Sequence, residues 1–170
     1  MIEHEKLKKI IDFVYDAHQN HNTKKDYRQD GRVPFFTHPL WCALTLLNDQ
    51  RISFEDRNIG YQALLLHDVL EDTSEKLPDY IDNEVRELVN KMTHETWEEE
   101  QILENKSPLV KLLKLHDKIS SMYDETVRTD PVRRKEWRQL IEKLISETKK
   151  YYPEAKIIPV AETIIANTNW

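Results

Sequence analysis

The stretch of residues 63–73 constrains this chain more than any other segment. Its first half is apolar and typical of a buried helix, yet four ionisable residues follow at its C-terminal end: His67, Asp68, Glu71 and Asp72. On a helix of about 3.6 residues per turn, His67 lies one turn from Glu71, and Asp68 one turn from Asp72. Two such rows offer nitrogen and oxygen ligands that suit a first-row divalent metal. The alternative interpretation is a solvated, frayed helix end.

Composition limits both the fold and the class of function. The chain has 170 residues, which is typical of a single domain with a sizeable core. Charged residues make up 33% and the formal net charge is -6, which indicates a soluble protein and argues against general nucleic-acid or anionic-membrane binding. No apolar run approaches ~18 residues and the N-terminus lacks a signal-peptide core, so we expect a cytoplasmic protein.

The scarcity of glycine favours an all-α fold. Gly31 and Gly60 are the only glycines in the sequence, which excludes glycine-rich phosphate loops.

Cys42 stands alone in an apolar run and is interpreted as a buried thiol rather than a nucleophile. We expect Thr37 to cap the second helix and Pro159 to kink or end the last one. Helical periodicity covers residues 2–18, 37–50, 53–72, 83–93, 107–119, 130–152 and 153–166.

A long polar loop separates the first two predicted helices. Periodicity fails over residues 19–36, and loops of this length inside a compact domain are often functional. The loop carries Lys24, Lys25, Arg28 and Arg32 in an otherwise acidic protein. Two interpretations are open: a solvated loop, or a group of cations that meets an anionic ligand.

A single carboxylate shares a face with leucine and valine in the helix predicted at residues 107–119. Asp117 lies on the same face as Val110 and Leu113. Burying an unpaired ionised carboxylate costs several kcal/mol, so Asp117 needs a cation. A plain ion pair with Lys114 or Lys118 is one interpretation, and a metal is the other. The acidic run of residues 98–100 before this helix is interpreted as a solvated face.

The order of His38, His67-Asp68 and Asp117 along the chain resembles the H…HD…D pattern of the HD superfamily of metal-dependent phosphohydrolases. Residues 31–39, 63–73 and 110–118 are similar to motifs of the hydrolase domain of RelA/SpoT proteins. Single-domain members of that family are guanosine tetraphosphate (ppGpp) hydrolases similar to the metazoan SpoT homologue. The resemblance covers about residues 10–124. It implies one HD domain over residues 1–170, with residues 130–170 as C-terminal helices that complete the bundle.

The resemblance also implies roles for individual residues. The metal site would lie between helices, with His38, His67, Asp68 and Asp117 holding one divalent ion, commonly manganese; the same donors accept iron, nickel or zinc. Glu71 and Asp72, the hallmark of hydrolase-competent members, would act on the water.

In that family, cations just before the segment that corresponds to residues 31–39 contact the nucleotide. Lys24 and Lys25 stand where an Arg-Lys pair usually stands. Arg28 is a second candidate, because the sequence does not fix the register of the loop at residues 20–34.

Departures from the family pattern concern the substrate rather than the metal. Ser121 replaces an Asn associated with the nucleotide site, Tyr123 replaces an Arg, and Lys24 replaces an Arg. A hydroxyl has a shorter reach than an amide, and an ammonium lacks the planar guanidinium that stacks on a base. Guanine specificity is therefore in doubt. His116, beside Asp117, is an added phosphate contact or a core histidine, and we favour the core histidine.

The sequence thus predicts an enzyme that removes the 3′-pyrophosphate from guanosine tetra- or pentaphosphate. One alternative is an HD phosphohydrolase acting on another nucleotide or phosphoester. An alternative of another class is a non-catalytic sensory module that binds a metal and a nucleotide. Glu71 and Asp72 argue against this module, because a pure binder has no need of two carboxylates beside the ion. The expected partner is a small phosphorylated molecule, and the oligomeric state is open.

Overall fold

The computed structural model describes residues 4–24, 27–28, 31–122 and 130–168. The described chain is all-α, as the sequence predicts, and its β pairing consists of isolated antiparallel bridges between Asn22 and Thr73 and between Tyr27 and Pro34. Its helices are α1 (His4–Asn20), α2 (Thr37–Leu47), α3 (Phe54–Leu66), α4 (Val69–Asp72), α5 (Asn83–Met92), α6 (Trp97–Glu100), α7 (Pro108–Ser121), α8 (Pro131–Lys149) and α9 (Ile157–Asn167).

Helix α3 lies at the centre of the bundle. It packs against α1, α2, α5 and α7, and all its residues from Gly60 to Leu66 are buried. A Cβ added at Gly60 would lie 2.7 Å from Cδ2 of Leu46 and 3.0 Å from Cδ2 of Leu113. The glycine therefore lets α2 and α7 approach α3 closely. This packing brings the start of α2 and the end of α7 towards the C-terminal end of α3.

Helix α7 is buried along most of its length and is covered by α2 and α8. Ser107 caps it by accepting a hydrogen bond from the Val110 amide. The apolar stripe predicted for α8 is buried, and Cys42 is a buried free thiol, which confirms both predictions. Even the lysines of α7 are buried, so their ammonium groups need partners inside the protein.

The predicted helix through residues 53–72 is interrupted where the ionisable residues begin. Helix α3 ends at Leu66, His67 and Asp68 form a turn, and α4 follows. Nδ1 of His67 donates to the Leu64 carbonyl at 2.8 Å. In a continued α-helix the Asp68 amide would use that carbonyl, so the imidazole competes with the helical ladder.

Smaller differences concern helix ends. Phe36, not Thr37, is the N-cap of α2, and the Thr37 hydroxyl donates to the Pro34 carbonyl at 2.9 Å. Pro159 lies in the first turn of α9, where its missing amide proton costs nothing, so it neither kinks nor ends that helix.

No helix within the described ranges is both long and apolar enough to cross a bilayer. The single domain and the cytoplasmic localisation stay predictions.

Candidate metal centre

The four residues predicted to bind a metal come together from three helical segments. His38 is the second residue of α2, His67 and Asp68 form the turn between α3 and α4, and Asp117 lies near the end of α7. All four side chains are buried. The close packing around α3 therefore brings residues that are 79 positions apart in sequence, His38 and Asp117, to one point.

The donor atoms of this cluster face one another. Nε2 of His38 lies 3.2 Å from Asp117 Oδ1 and 3.4 Å from Asp68 Oδ2. Nε2 of His67 lies 3.2 Å from Asp68 Oδ1 and 3.7 Å from Asp117 Oδ1. One ligand atom from each of His38, His67 and Asp117 lies within 4.8 Å of the others. Asp68 borders both imidazoles as the fourth member.

Hydrogen bonds behind the cluster orient both imidazole rings. Nδ1 of His67 donates to the Leu64 carbonyl, and Nδ1 of His38 lies 2.9 Å from the hydroxyl of Ser120. These contacts direct both Nε2 atoms at the carboxylates, as the outer-shell partners of metal-binding histidines do. Ser120 is held in turn by Arg28, whose guanidinium donates to its carbonyl at 2.5 Å and its hydroxyl at 3.3 Å.

The cluster fits a divalent metal. Nε2 of His67 and Oδ2 of Asp68 are buried and lack a hydrogen-bond partner in the described part of the chain. Because Nδ1 of His67 carries the proton, the neutral ring presents a lone pair to carboxylate oxygens, and these groups repel one another unless a cation lies between them. Imidazole nitrogen and carboxylate oxygen together suit a first-row divalent ion.

The electrostatics of the cluster also favour a cation. Burial alone would lower the pKa of His67, but the carboxylates of Asp68 and Asp117 outweigh burial and raise it to about 10. Burial would raise the pKa of Asp117, but Lys118 and the two imidazoles outweigh burial and hold it well below its usual range. The raised pKa of His67 shows that the carboxylates attract a positive charge strongly at Nε2. A metal ion can take the position of the proton there.

A cavity of about 280 Å³ opens beside the cluster, and both predicted catalytic carboxylates line it. Oε1 of Glu71 accepts a hydrogen bond from the His94 amide at 2.7 Å. Burial and the charge of Asp68 raise the pKa of Glu71 to about 7. Asp72 is buried, and its Oδ1 lies 3.3 Å from Nζ of Lys24. The two adjacent carboxylates therefore differ: one titrates near neutral pH, and the other is paired with an ammonium group.

The structure places the predicted loop cations in different surroundings. The bridge between Asn22 and Thr73 fixes the start of the loop beside α4, since the Thr23 amide donates to the Asp72 carbonyl at 2.8 Å. Lys24 consequently lines the cavity. Arg28 does not line it and contacts Ser120 instead. Lys25 lies outside the described residues.

Comparisons with known proteins agree with this geometry at the level of the fold. No family model matches the sequence, and no curated protein matches it. The structure is similar to a solved structure described as a metazoan ortholog of SpoT that hydrolyzes ppGpp. The TM-score is 0.73 and the identity 20%, over 95% of this chain and 94% of the other. The chain has the fold of that SpoT ortholog. The predicted all-α fold is confirmed.

Two of the three departures from the RelA/SpoT pattern, Lys24 and Ser121, line the cavity beside the metal cluster. The Ser121 hydroxyl donates to the Asp117 carbonyl at 3.1 Å. Tyr123 lies outside the described residues. His116 is fully buried and does not line this cavity, and burial lowers its pKa to about 3. The interpretation of His116 as a core histidine is confirmed.

Sequence reasoning named Lys114 and Lys118 as partners for Asp117 but missed that Glu100 joins them in a network of charges. Nζ of Lys118 lies 2.8 Å from Asp117 Oδ2, and it also pairs with Glu100, which contacts Lys114 at 3.3 Å. The ion pair with Lys118 is thus present on Oδ2, and it is compatible with the metal interpretation, because Oδ1 faces the imidazoles. The interpretation of residues 98–100 as a solvated face is wrong for Glu100. Helix α6 is too short for its periodicity to reveal a buried side.

Helix α8 adds an aromatic and cationic wall that the sequence pattern did not indicate. Arg133 and Trp137 line the cavity. The guanidinium of Arg133 lies 3.6 Å from the centre of the Trp97 ring, and Trp97 stacks on Trp137 with centroids 5.3 Å apart. The buried stripe predicted for α8 includes Trp137, but only the tertiary structure shows that its first turn reaches the cavity.

Proposed function

We propose that this protein is a metal-dependent phosphohydrolase that removes the 3′-pyrophosphate from guanosine tetra- or pentaphosphate. One observation carries the proposal: the cavity that contains the two imidazoles and two carboxylates of the metal cluster also contains two further carboxylates, Glu71 and Asp72. The fold shared with a protein described as hydrolysing ppGpp supports the same substrate.

His38, His67, Asp68 and Asp117 would hold one divalent ion. We favour manganese, and the donor set also accepts iron, nickel or zinc. When bound, the ion supplies positive charge for phosphate oxygens and lowers the pKa of a coordinated water. Leu64 and Ser120 fix the two rings, so the ligand set is preorganised before the ion arrives.

Glu71 is the proposed general base. Its pKa of about 7 allows the carboxylate to accept a proton from the attacking water near neutral pH. The His94 amide holds Oε1, which leaves Oε2 to take that proton. Asp72, fixed by Lys24, would orient the water beside it.

Cations around the cavity would bind the phosphates of the substrate. Lys24 lines it from the loop before α2, and Arg133 lines it from α8. Lys25 would extend the positive charge of Lys24. For Arg28 the contact with Ser120 supports a role behind His38 rather than on the nucleotide. Ser121 would lie near the nucleotide, with its hydroxyl engaged by the Asp117 carbonyl.

The second candidate is hydrolysis of another nucleotide or phosphoester. Ser121 favours this candidate, because it stands where the family has an Asn and provides no amide for a base. Its hydroxyl proton is already donated to the Asp117 carbonyl. A non-catalytic sensory module is disfavoured by Glu71, because a carboxyl with a pKa near 7 at the metal cluster suits proton transfer more than binding of an anion.

The test is a phosphorus NMR time course of purified protein with manganese and guanosine tetraphosphate. The double variant E71A/D72A removes the catalytic carboxylates, and E84A/E87A removes two exposed carboxylates of α5 as a matched control. We expect pyrophosphate and GDP with the wild type and the control but not with E71A/D72A. Release by E71A/D72A would exclude these residues from catalysis. No release by any of the three proteins would overturn the substrate, and a panel of nucleotides and phosphoesters would then test the second candidate.

A further inference from the structure

Glu100 of α6 belongs to a line of alternating charges that begins at the metal cluster. Nζ of Lys118 lies 2.8 Å from Oδ2 of Asp117 and also pairs with Oε1 of Glu100. Nζ of Lys114 lies 3.3 Å from the same Oε1. From Asp117 outwards the order is therefore carboxylate, ammonium, carboxylate, ammonium. Glu100 is thus connected to a proposed metal ligand through a single lysine.

Aromatic packing places Glu100 at this point. Trp97, at the start of α6, stacks on Trp137 of α8 with ring centroids 5.3 Å apart. Glu100 follows Trp97 by three positions and so lies on the same side of the helix. Its side chain is 18% exposed, and it lines the cavity beside the metal cluster. A carboxylate so enclosed needs cations, which Lys114 and Lys118 provide.

The three groups behind Asp117 are all charged at pH 7. Burial would raise the pKa of Glu100, but the ammonium groups of Lys118 and Lys114 outweigh burial and hold it below its usual range. At Lys118 the carboxylates of Asp117 and Glu100 outweigh burial and raise the pKa. Burial lowers the pKa of Lys114 to about 8, which still leaves its ammonium group protonated at pH 7.

Lys118 has two opposite effects on a divalent cation at the cluster. It holds Asp117 by Oδ2, so that Oδ1 lies 3.2 Å from Nε2 of His38 and 3.7 Å from Nε2 of His67. Its positive charge also lies 2.8 Å from a ligand carboxylate, where it repels a cation that this carboxylate binds. Glu100 keeps the first effect and reduces the second, because it fixes the ammonium group and offsets its charge.

We propose that Glu100 is a positioning residue of the metal site, which holds Lys118 on Asp117 and offsets the lysine's charge so that the cluster binds a divalent cation more tightly. The inference rests on the proposed metal site and adds a residue from outside the H…HD…D pattern. Lys114 lies on the far side of Glu100 and reduces the negative charge that Lys118 meets. The alternating charges therefore predict that Glu100 raises the affinity for the metal and that Lys114 lowers it.

The test is calorimetric titration of the metal-free full chain with manganese at pH 7. E100Q keeps the shape of the side chain and removes its charge, so we expect manganese to bind about 10- to 100-fold more weakly. E98Q removes the same charge from the exposed side of α6 and is the matched control, with unchanged affinity. In the metal-free protein, the ammonium resonance of Lys118 in proton–nitrogen NMR spectra should broaden in E100Q but not in E98Q, because the ammonium group has lost one of its two carboxylates.

K114M gives a result that a loss of folding could not imitate. It replaces the ammonium group by an apolar chain of similar length, and we expect manganese to bind more tightly than in the wild type. Equal affinities of E100Q and the wild type, an equal loss in E98Q, an unchanged Lys118 resonance in E100Q, or a lower affinity in K114M would overturn the inference and leave the metal site in place. Absence of manganese binding by the wild type would overturn the metal site and this inference with it.

Discussion

Two regions on either side of α7 each contain a buried histidine, and their surroundings give these histidines opposite properties. His67 in the metal cluster is 4% exposed, and His116, which contacts Thr45 of α2, is 1% exposed. The carboxylates of Asp68 and Asp117 raise the pKa of His67 to about 10, whereas burial without a facing carboxylate lowers that of His116 to about 3. Burial alone produces a neutral imidazole, and only added carboxylates make a site for a cation.

The contrast between the two histidine sites should disappear most completely when the metal cluster loses a carboxylate. We expect D68A to lose manganese binding by more than about 100-fold, since changing even an outer-shell partner typically costs about 10- to 100-fold. Hydrolysis should be lost with it. Titration calorimetry with manganese and measurement of bound metal check this prediction. H116F is the control from the other region and should bind manganese as the wild type does. Undiminished metal content in D68A would remove Asp68 from the ligand set.

The next largest effect should separate catalysis from metal binding within the cluster. We expect E71Q to lower the rate of hydrolysis by about 10²- to 10⁴-fold, because the amide cannot accept the proton, while manganese affinity changes little. The wild-type rate should rise with pH as the Glu71 carboxyl ionises, with a midpoint at or below its metal-free pKa of about 7, because a bound cation favours the carboxylate.

Steady-state rates between pH 5 and 9 check this prediction, with E87Q on the exposed side of α5 as the matched control. A rate of E71Q within a few-fold of the wild type would assign proton transfer to another group. If the rate of E71Q kept the pH dependence of the wild type, proton transfer would also be assigned to another group.

The sequence predicted those parts of the molecule that local patterns encode. The apolar periodicity of α7 and α8 indicates their buried faces, and the positions of His38, His67-Asp68 and Asp117 identify residues that the fold does bring together. In each case the information lies in the spacing of a few residues.

The features that the sequence did not predict depend on contacts between residues that are distant in the chain or on single side-chain bonds. At the helix break, the His67 side chain bonds to the Leu64 carbonyl, a contact that no propensity scale contains. The ion pairs of the half-buried Glu100 are made with Lys114 and Lys118 of another helix. Arg28 was considered a nucleotide contact because of its charge, yet its partner Ser120 is 92 residues away. Long-range pairs of this kind leave no periodic signal in one sequence.

A smaller effect should come from the hydroxyl that orients His38. Removing it in S120A leaves Nδ1 of His38 without its contact at 2.9 Å, so the ring is held less firmly towards Asp68 and Asp117. We expect manganese affinity to fall by about 10- to 100-fold. Calorimetric titration measures the change. S121A removes a neighbouring hydroxyl that donates to the Asp117 carbonyl at 3.1 Å and lies 3.5 Å from Asp117 Oδ1, at the limit of a hydrogen bond. Because this hydroxyl orients no ring, S121A should change the affinity less. Equal losses in the two variants would contradict an orienting role for Ser120.

The smallest effect should come from the equivalent hydroxyl in the other region. T45V keeps the shape of the side chain but leaves Nδ1 of His116 without its contact at 3.0 Å. We expect a loss of about 1–3 kcal/mol in the free energy of unfolding, measured with urea, because a buried ring nitrogen then has no hydrogen-bond partner. Manganese affinity should stay unchanged, since His116 faces no metal ligand.

T45V and S120A thus remove the same group from behind two buried imidazoles, and only the ring that faces carboxylates should transmit the loss to a metal. A fall in manganese affinity in T45V as large as that in S120A would contradict this comparison. It would show that α7 couples the two regions through the adjacent residues His116 and Asp117.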